Sequence, residues 1–85
     1  MNEVRDNREA SRFEISVDGH VAFMQYERRP GMIVLMHTEV PELLRGRGLA
    51  GILTKSVLEA AKGEGIRVIA KCPFVRAYIQ KHHKP

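Results

Sequence analysis

Residues 39–50 read Glu-Val-Pro-Glu-Leu-Leu-Arg-Gly-Arg-Gly-Leu-Ala, and this stretch decides the fold. An apolar run rich in β-branched residues precedes it and predicts a strand. Because Pro41 has no N–H to give to a neighbouring strand, this strand is expected to end at Val40. After the glycines, apolar residues recur with the spacing of one helix face. The stretch is therefore interpreted as the turn between a strand and a helix.

Two glycines and two arginines give this turn its chemistry. A glycine-rich turn at a helix start presents unpaired backbone N–H groups at the positive end of the helix dipole, and such turns bind phosphate. Gly46 and Gly48 carry no side chain that would keep a phosphate from the backbone, and Arg45 and Arg47 add cationic donors. The turn predicts a pyrophosphate site, and an ordinary connecting loop is the alternative for so short a pattern.

The residues before this turn predict an antiparallel meander. Apolar and polar residues alternate over 13–17, and a second strand over 21–26 sets Val21, Phe23 and Gln25 on one face against Ala22, Met24 and Tyr26 on the other. Asp18-Gly19 between the two strands is typical of a hairpin turn. A third strand is predicted over 32–40, and its first half is apolar on both faces, as in the centre of a sheet.

The N-terminal segment is expected to lie outside this sheet. Residues 1–12 have almost no apolar content and are interpreted as a flexible arm, which leaves one domain over 13–85. A chain of 85 residues is long enough for one small core.

The residues after the turn predict a parallel βαβ unit. A helix of about four turns begins at Leu49 and ends at Gly63-Glu64-Gly65 through a left-handed cap. A strand over 66–71 and a last helix over roughly 73–82, with Pro73 in its first turn, complete the chain. The predicted order is β-β-β-α-β-α, an α/β fold of the α+β type in which a three-stranded antiparallel meander joins the parallel unit in one mixed sheet.

Composition excludes several classes of protein. The single cysteine rules out a disulfide framework and fits a cytoplasmic protein, and no run approaches the roughly 18 apolar residues of a membrane span. The net charge of +4 favours an anionic partner. Because the basic residues are scattered and stacking aromatics are few, nucleic acid is not the favoured partner, and a basic polyanion- or RNA-binding domain is kept as an alternative.

Three short motifs resemble one family. Arg45–Ala50, between a strand and a helix, is similar to the pyrophosphate motif of the GNAT superfamily of acyl-CoA-dependent N-acyltransferases, and Tyr78–Pro85 is similar to its closing pattern. More narrowly, His37–Val40, Arg45–Ala50 and Cys72–Val75 resemble the His-Thr-Glu-Val, Arg-Gly-x-Gly-x-Ala and Cys-Pro-Phe-Val hallmarks of a short GNAT-like family. The resemblance covers residues 13–83.

The resemblance implies transfer of an acetyl group from acetyl-CoA to a primary amine. It implies that CoA is held by Val40, Arg45, Gly46, Arg47, Gly48, Leu49, Ala50 and Phe74. A non-catalytic module that binds CoA or acyl-CoA is the alternative. No close pair of histidine, cysteine or acidic residues has the spacing of a metal site.

Four residues are candidates for catalysis. His37 and Glu39 share one face of a strand, and either is a candidate general base for the amine. Cys72 lies beside a helix start that would favour its thiolate, so an acyl-enzyme with His37 as base is an alternative to direct transfer. Tyr78 is expected to protonate the leaving thiolate, as its match to the superfamily tyrosine implies.

The acceptor is expected to be large. Asp18-Gly19 makes a tight turn where larger superfamily members insert two helices that wall the acceptor pocket. An open cleft buries little of a small amine, so the expected acceptor is an exposed lysine or N-terminal amine on a protein or peptide, with acidic flanks. The chain is expected to be a monomer or a weak homodimer, because a second subunit could also complete the wall.

Overall fold

The computed structural model describes residues 3–82, so residues 1–2 and 83–85, including the end of the predicted closing motif, lie outside the description. The elements are β1 (Val4–Asn7), β2 (Arg12–Val17), β3 (His20–Arg29), β4 (Met32–Glu39), a 3-10 turn (Glu42–Leu44), α1 (Leu49–Glu64), β5 (Arg67–Ala70) and α2 (Pro73–His82). They form a five-stranded sheet in the order β1-β2-β3-β4-β5. Strands β1 to β4 are antiparallel, and β5 runs parallel to β4. The predicted fold class is confirmed.

Strand β1 corrects the flexible arm predicted over 1–12. Residues 4–7 pair antiparallel with β2, from Val4 opposite Ile15 to Asn7 opposite Arg12. Val4 packs against the core. Strand β1 was missed because its three polar residues carry no apolar alternation, and the contacts that hold it come from residues distant in sequence.

Helix α1 packs on one face of the sheet and makes the core. Its buried face is formed by Leu49, Leu53, Thr54, Val57 and Ala61. Against it pack the inward residues of β2, β3 and β4, which are Phe13, Ile15, Val17, Ala22, Met24, Tyr26, Ile33 and Leu35. The helix ends at Gly65, whose left-handed backbone (φ 69°) lets its N–H bond the carbonyl groups of Ala61 and Lys62.

A bulge in β4 changes which side chains face the core. Gln25 lies opposite His37 and Tyr26 lies opposite Leu35, so Met36 is an extra residue without an opposite partner. Leu35 is fully buried, whereas Met36 and His37 are both exposed. Beyond the bulge the alternation resumes, with Thr38 on the side of buried Met24.

Strands β4 and β5 separate near the middle of β4. Their pairing ends with Leu35 opposite Ala70, while β4 stays paired with β3 as far as Glu39. The N–H groups of Lys71 and Cys72 both donate to the Leu35 carbonyl, at 3.0 and 3.1 Å, and α2 begins directly afterwards. We call the space between residues 36–39 and residues 71–72 the fork.

Across residues 3–82, neither helix combines the length and the apolar character needed to cross a bilayer.

One buried hydroxyl ties β1 to the sheet and gives a stability prediction. Tyr26 is 4% exposed, and its O–H donates to the Asp6 carboxylate at 2.6 Å. Burial raises the pKa of this phenol, and the bond to Asp6 raises it further, so the hydroxyl stays protonated and remains a donor. Tyr26→Phe removes the donor and leaves the carboxylate unpaired on that side. We expect a loss of about 1–2 kcal/mol in the free energy of unfolding, measured by urea denaturation.

Tyr78→Phe is the matched control, because Tyr78 is a half-buried residue of α2. Equal stability losses in the two variants would show that the Tyr26–Asp6 bond does not hold β1.

Candidate functional site

A cavity of about 220 Å³ lies at the N-terminus of α1, beside the start of α2. Its lining consists of Val40, Leu44, Arg45, Gly46, Gly48, Leu49, Ala50, Gly51 and Phe74. The structure therefore brings together seven of the eight residues that the sequence suggested for CoA, leaving out Arg47. It adds Leu44 and Gly51. The burial of Leu44 follows from the 3-10 turn, which the sequence analysis did not predict.

The backbone of the turn has a left-handed conformation at two positions, and that conformation favours glycine. Gly46 (φ 83°) and Gly48 (φ 73°) both have the left-handed conformation, and a Cβ built on either would meet no atom within 4 Å. Gly48 is the N-cap of α1, and no side chain caps that end. The first helical bond runs from the Ile52 N–H to the Gly48 carbonyl. The N–H groups of residues 49–51 therefore remain available at the cavity, with the positive end of the helix dipole behind them.

The two arginines of the turn take different positions. Arg45 lines the cavity, and its Nε donates to the Val40 carbonyl at 3.3 Å, which holds its aliphatic stem along the rim. Arg47 points away and lies 3.7 Å from the Asp18 carboxylate in the β2–β3 turn, with both side chains largely exposed. Arg45 is thus the better placed of the two to bind an anion in the cavity.

Cys72 lies in the core at the start of α2. It is 5% exposed, and its thiol lies 3.3 Å from the Thr38 hydroxyl. Burial raises the pKa of the thiol, but hydrogen bonds from Thr38 and from the backbone N–H groups of Val75 and Phe74 outweigh it, so the pKa lies below its usual value. The sequence analysis did not name Thr38 as a functional residue. Because Thr38 lies between His37 and Glu39 on one strand, alternation already placed it on the face opposite to theirs.

His37 and Glu39 lie on the other face of β4 from Thr38, and both are exposed. The His37 ring meets the Phe23 ring edge-on, with centroids 6.5 Å apart. The structure does not bring His37 to the Cys72 thiol, so the proposed pairing of these two as base and nucleophile has no contact to support it. It does leave both candidate bases open to solvent beside the fork.

Tyr78 lies between α1 and α2, close to the cavity at the N-terminus of α1. Its ring stacks on the ring of His82, with centroids 4.2 Å apart, and lies 6.5 Å from the ring of Phe74. A Cβ on Gly51 would lie 3.7 Å from the Tyr78 ring, so the two helices approach closely at this point. Because Gly51 and Phe74 both line the cavity, Tyr78 flanks it.

Among residues 3–82, no three histidine, cysteine or acidic side chains are grouped so as to hold a metal ion.

The contact between Thr38 and Cys72 gives a prediction about thiol reactivity. Thr38→Val removes a hydrogen-bond donor to the thiolate, so the pKa of Cys72 should rise. The pH midpoint of alkylation by iodoacetamide should move to higher pH than in the wild type. Thr54→Val is the control, because Thr54 is buried in α1 and its hydroxyl donates to the Ala50 carbonyl instead. An unchanged midpoint in the Thr38 variant would show that this hydroxyl does not act on the thiol.

Known proteins resemble this chain over nearly its whole length. The family described as GCN5-related N-acetyl-transferase matches residues 12–84. Protein NATD1 of Mus musculus is 32% identical over 85 residues, which cover 96% of this chain and 77% of that protein. Protein NATD1 of Homo sapiens is also 32% identical over 85 residues, with 96% and 75% covered, and the Gallus gallus protein is 31% identical over 86 residues, with 98% and 78% covered. The chain belongs to the family of GCN5-related N-acetyltransferases.

Proposed function

We propose that this protein transfers an acetyl group from acetyl-CoA to a primary amine. The uncapped N-terminus of α1 carries the proposal: it opens on a cavity lined by Gly46, Gly48 and Arg45. The 16-residue helix α1 offers free N–H groups at its N-terminus. Gly46 and Gly48 have no side chains to keep a ligand from the backbone, and Arg45 adds a positive charge. Together these features suit a pyrophosphate. Family membership supports the same ligand.

The rest of CoA is expected to follow the fork. Beyond Leu35, the edge of β4 that faces β5 has no strand partner among residues 3–82, so its backbone groups are free to bond the amide groups of the pantetheine arm. Val40 and Phe74 give apolar surface beside that path. Phe74 is 44% exposed and lines the cavity, so a ligand bound there would cover part of its ring.

When bound, acetyl-CoA supplies a thioester carbonyl that an amine can attack. His37 or Glu39 takes a proton from the attacking amine on the exposed face of β4. As the carbon–nitrogen bond forms and the carbon–sulfur bond breaks, Tyr78 gives its phenol proton to the departing sulfur. His37 suits the first role better than Glu39, because an imidazole is a stronger base than a carboxylate.

We favour direct transfer over an acyl-enzyme. Cys72 is almost fully buried, and the candidate bases lie on the opposite face of β4. The lowered pKa of its thiol keeps the second route open, because a thiolate is the form that attacks a thioester. In that route the acetyl group would pass from CoA sulfur to Cys72 sulfur and then to the amine, releasing CoA before the amine reacts.

Gly48→Ala tests the cofactor site. Alanine at φ 73° costs about 1 kcal/mol of stability, and its methyl group stands where the backbone must meet a phosphate. We expect affinity for CoA, measured by isothermal titration, to fall about tenfold or more. Gly65→Ala is the matched control, since Gly65 has nearly the same backbone conformation (φ 69°) at the other end of α1.

Gly65→Ala should lose similar stability and keep its affinity for CoA. A folded Gly48→Ala protein that binds CoA like the wild type would overturn the pyrophosphate site. Tight CoA binding with no release of free thiol from acetyl-CoA across a panel of amines would indicate a non-catalytic CoA-binding module.

Mass spectrometry distinguishes the two routes. After incubation with acetyl-CoA alone, we expect no acetyl adduct on Cys72 and retained turnover in Cys72→Ala. A stoichiometric adduct on Cys72 that disappears when amine is added would establish the acyl-enzyme instead.

A further inference from the structure

A groove of about 690 Å³ crosses strand β3, apart from the cofactor cavity. Arg8 and Ser11 of the β1–β2 turn lie at one end, Gln25 and Glu27 of β3 in the middle, and Met36 of β4 at the other end. None of these residues lines the cavity at the start of α1. The groove has no assigned role in the chemistry described so far.

One end of the groove adjoins the fork. Met36 is the first residue of β4 beyond the last pair with β5, between Leu35 and Ala70. Gln25, which also lines the groove, lies opposite His37 in the sheet. A molecule lying in the groove would therefore have one end beside the place where the thioester is expected, and beside a candidate base.

Most charges along the groove are already paired. Glu27 is bonded to Arg29 at 2.5 Å, and Arg28 is bonded to Glu64 at 3.0 Å. These pairs leave little attraction for a ligand, since each charge is compensated by its neighbour.

Arg8, at the far end, is the exception. Its side chain is 65% exposed, and its contacts are 3.3 Å to Asp6 and a marginal 4.0 Å to Glu64. Asp6 is shared, because it also accepts the Tyr26 hydroxyl and lies 3.5 Å from Arg28. Arg8 is thus a cation with spare donors at the end of the groove away from the fork.

We propose that this groove is the acceptor site, and that it takes a lysine of an extended peptide with an acidic residue about four positions away, bound by Arg8. The proposal rests on the acetyl transfer proposed above. Met36 lies on β4 and Arg8 directly follows β1, so they are three strand spacings apart, roughly 14 Å. An extended peptide spans that distance in about four residues, at roughly 3.3 Å each, and its side chains four positions apart lie on the same face. The lysine side chain then enters the fork while the acidic side chain meets Arg8.

The open form of the groove favours a peptide over a free small amine. Its middle is formed by the exposed residues Gln25 and Glu27, and it would leave much of a small molecule in water. A peptide gains contacts along the whole length. The net charge of +4 adds a general attraction to acidic segments, which salt should weaken.

The test is a charge reversal measured on a set of peptides. Three peptides share one lysine, with glutamate, glutamine or lysine placed four positions away. Wild type should show a kcat/KM about tenfold higher for the glutamate peptide than for the lysine peptide, mainly through KM. Arg8→Glu should reverse that order, and Arg8→Gln should flatten it.

Arg5→Glu is the control, because Arg5 is an exposed residue of β1 that makes the same charge change without lining the groove. It should keep the wild-type order. Each variant is first checked for CoA binding and cooperative unfolding, so that the order of peptides is compared only among folded proteins.

An unchanged order in Arg8→Glu, or an equal reversal in Arg5→Glu, would overturn the groove as the acceptor site while leaving acetyl transfer in place. If wild type shows no preference among the three peptides, the groove is also overturned as the acceptor site, and acetyl transfer is left in place. Failure of wild type to acetylate any amine, with CoA bound, would overturn the transfer itself.

Discussion

The carbonyl group of Leu35 accepts hydrogen bonds from the N–H groups of both Lys71 and Cys72, and the candidate site depends on this arrangement. It is the last backbone link between β4 and β5. After Cys72 the chain enters α2, while β4 stays paired with β3 as far as Glu39. Two parallel strands thus separate within the sheet, and a backbone edge that would otherwise be paired becomes free. A site for an extended ligand follows from the topology, before any side chain is chosen.

The bulge at Met36 comes directly after Leu35, where β4 and β5 separate. It places Met36 and His37 on the exposed side and returns Thr38 to the core, next to Cys72. If β4 paired regularly through Met36, every side chain from His37 onward would exchange faces, because alternation in a strand has a period of two. The histidine would then lie against the core and the threonine would face solvent. The separation of a buried thiol from exposed bases is therefore a consequence of one irregularity in backbone pairing.

The sequence predicted the parts of the molecule that depend on local backbone chemistry. The strand ending near Pro41, the turn at Gly46 and Gly48 and the cap at Gly65 follow from what these residue types permit, and the structure has each of them close to its expected position. Most of the residues suggested for CoA line one cavity for the same reason, since they adjoin the turn in sequence. The CoA-binding role itself stays a prediction.

The parts that escaped prediction depend on contacts between distant residues. Strand β1 is held by Tyr26 and by pairing with β2, and neither contact leaves a pattern within residues 4–7. The bulge arises from the register of two strands, which a single-sequence pattern does not specify. For that reason the sequence correctly placed His37 and Glu39 on one face but paired His37 with Cys72, which lies on the other.

The cavity at the start of α1 and the groove across β3 differ in the kind of atoms that they offer to a ligand. At the start of α1 the donors are mostly backbone N–H groups, fixed by the helix and by left-handed glycines, so they need little reorganisation to bind an anion. Across β3 the groups are exposed side chains such as Gln25, Glu27 and Arg8, and salt screens their charges. A rigid site suits a ligand that is the same in every turnover, and an adjustable site suits a ligand that varies. Under the proposals above, a preformed place for a fixed donor would lie beside an open, charge-selective place for the acceptor.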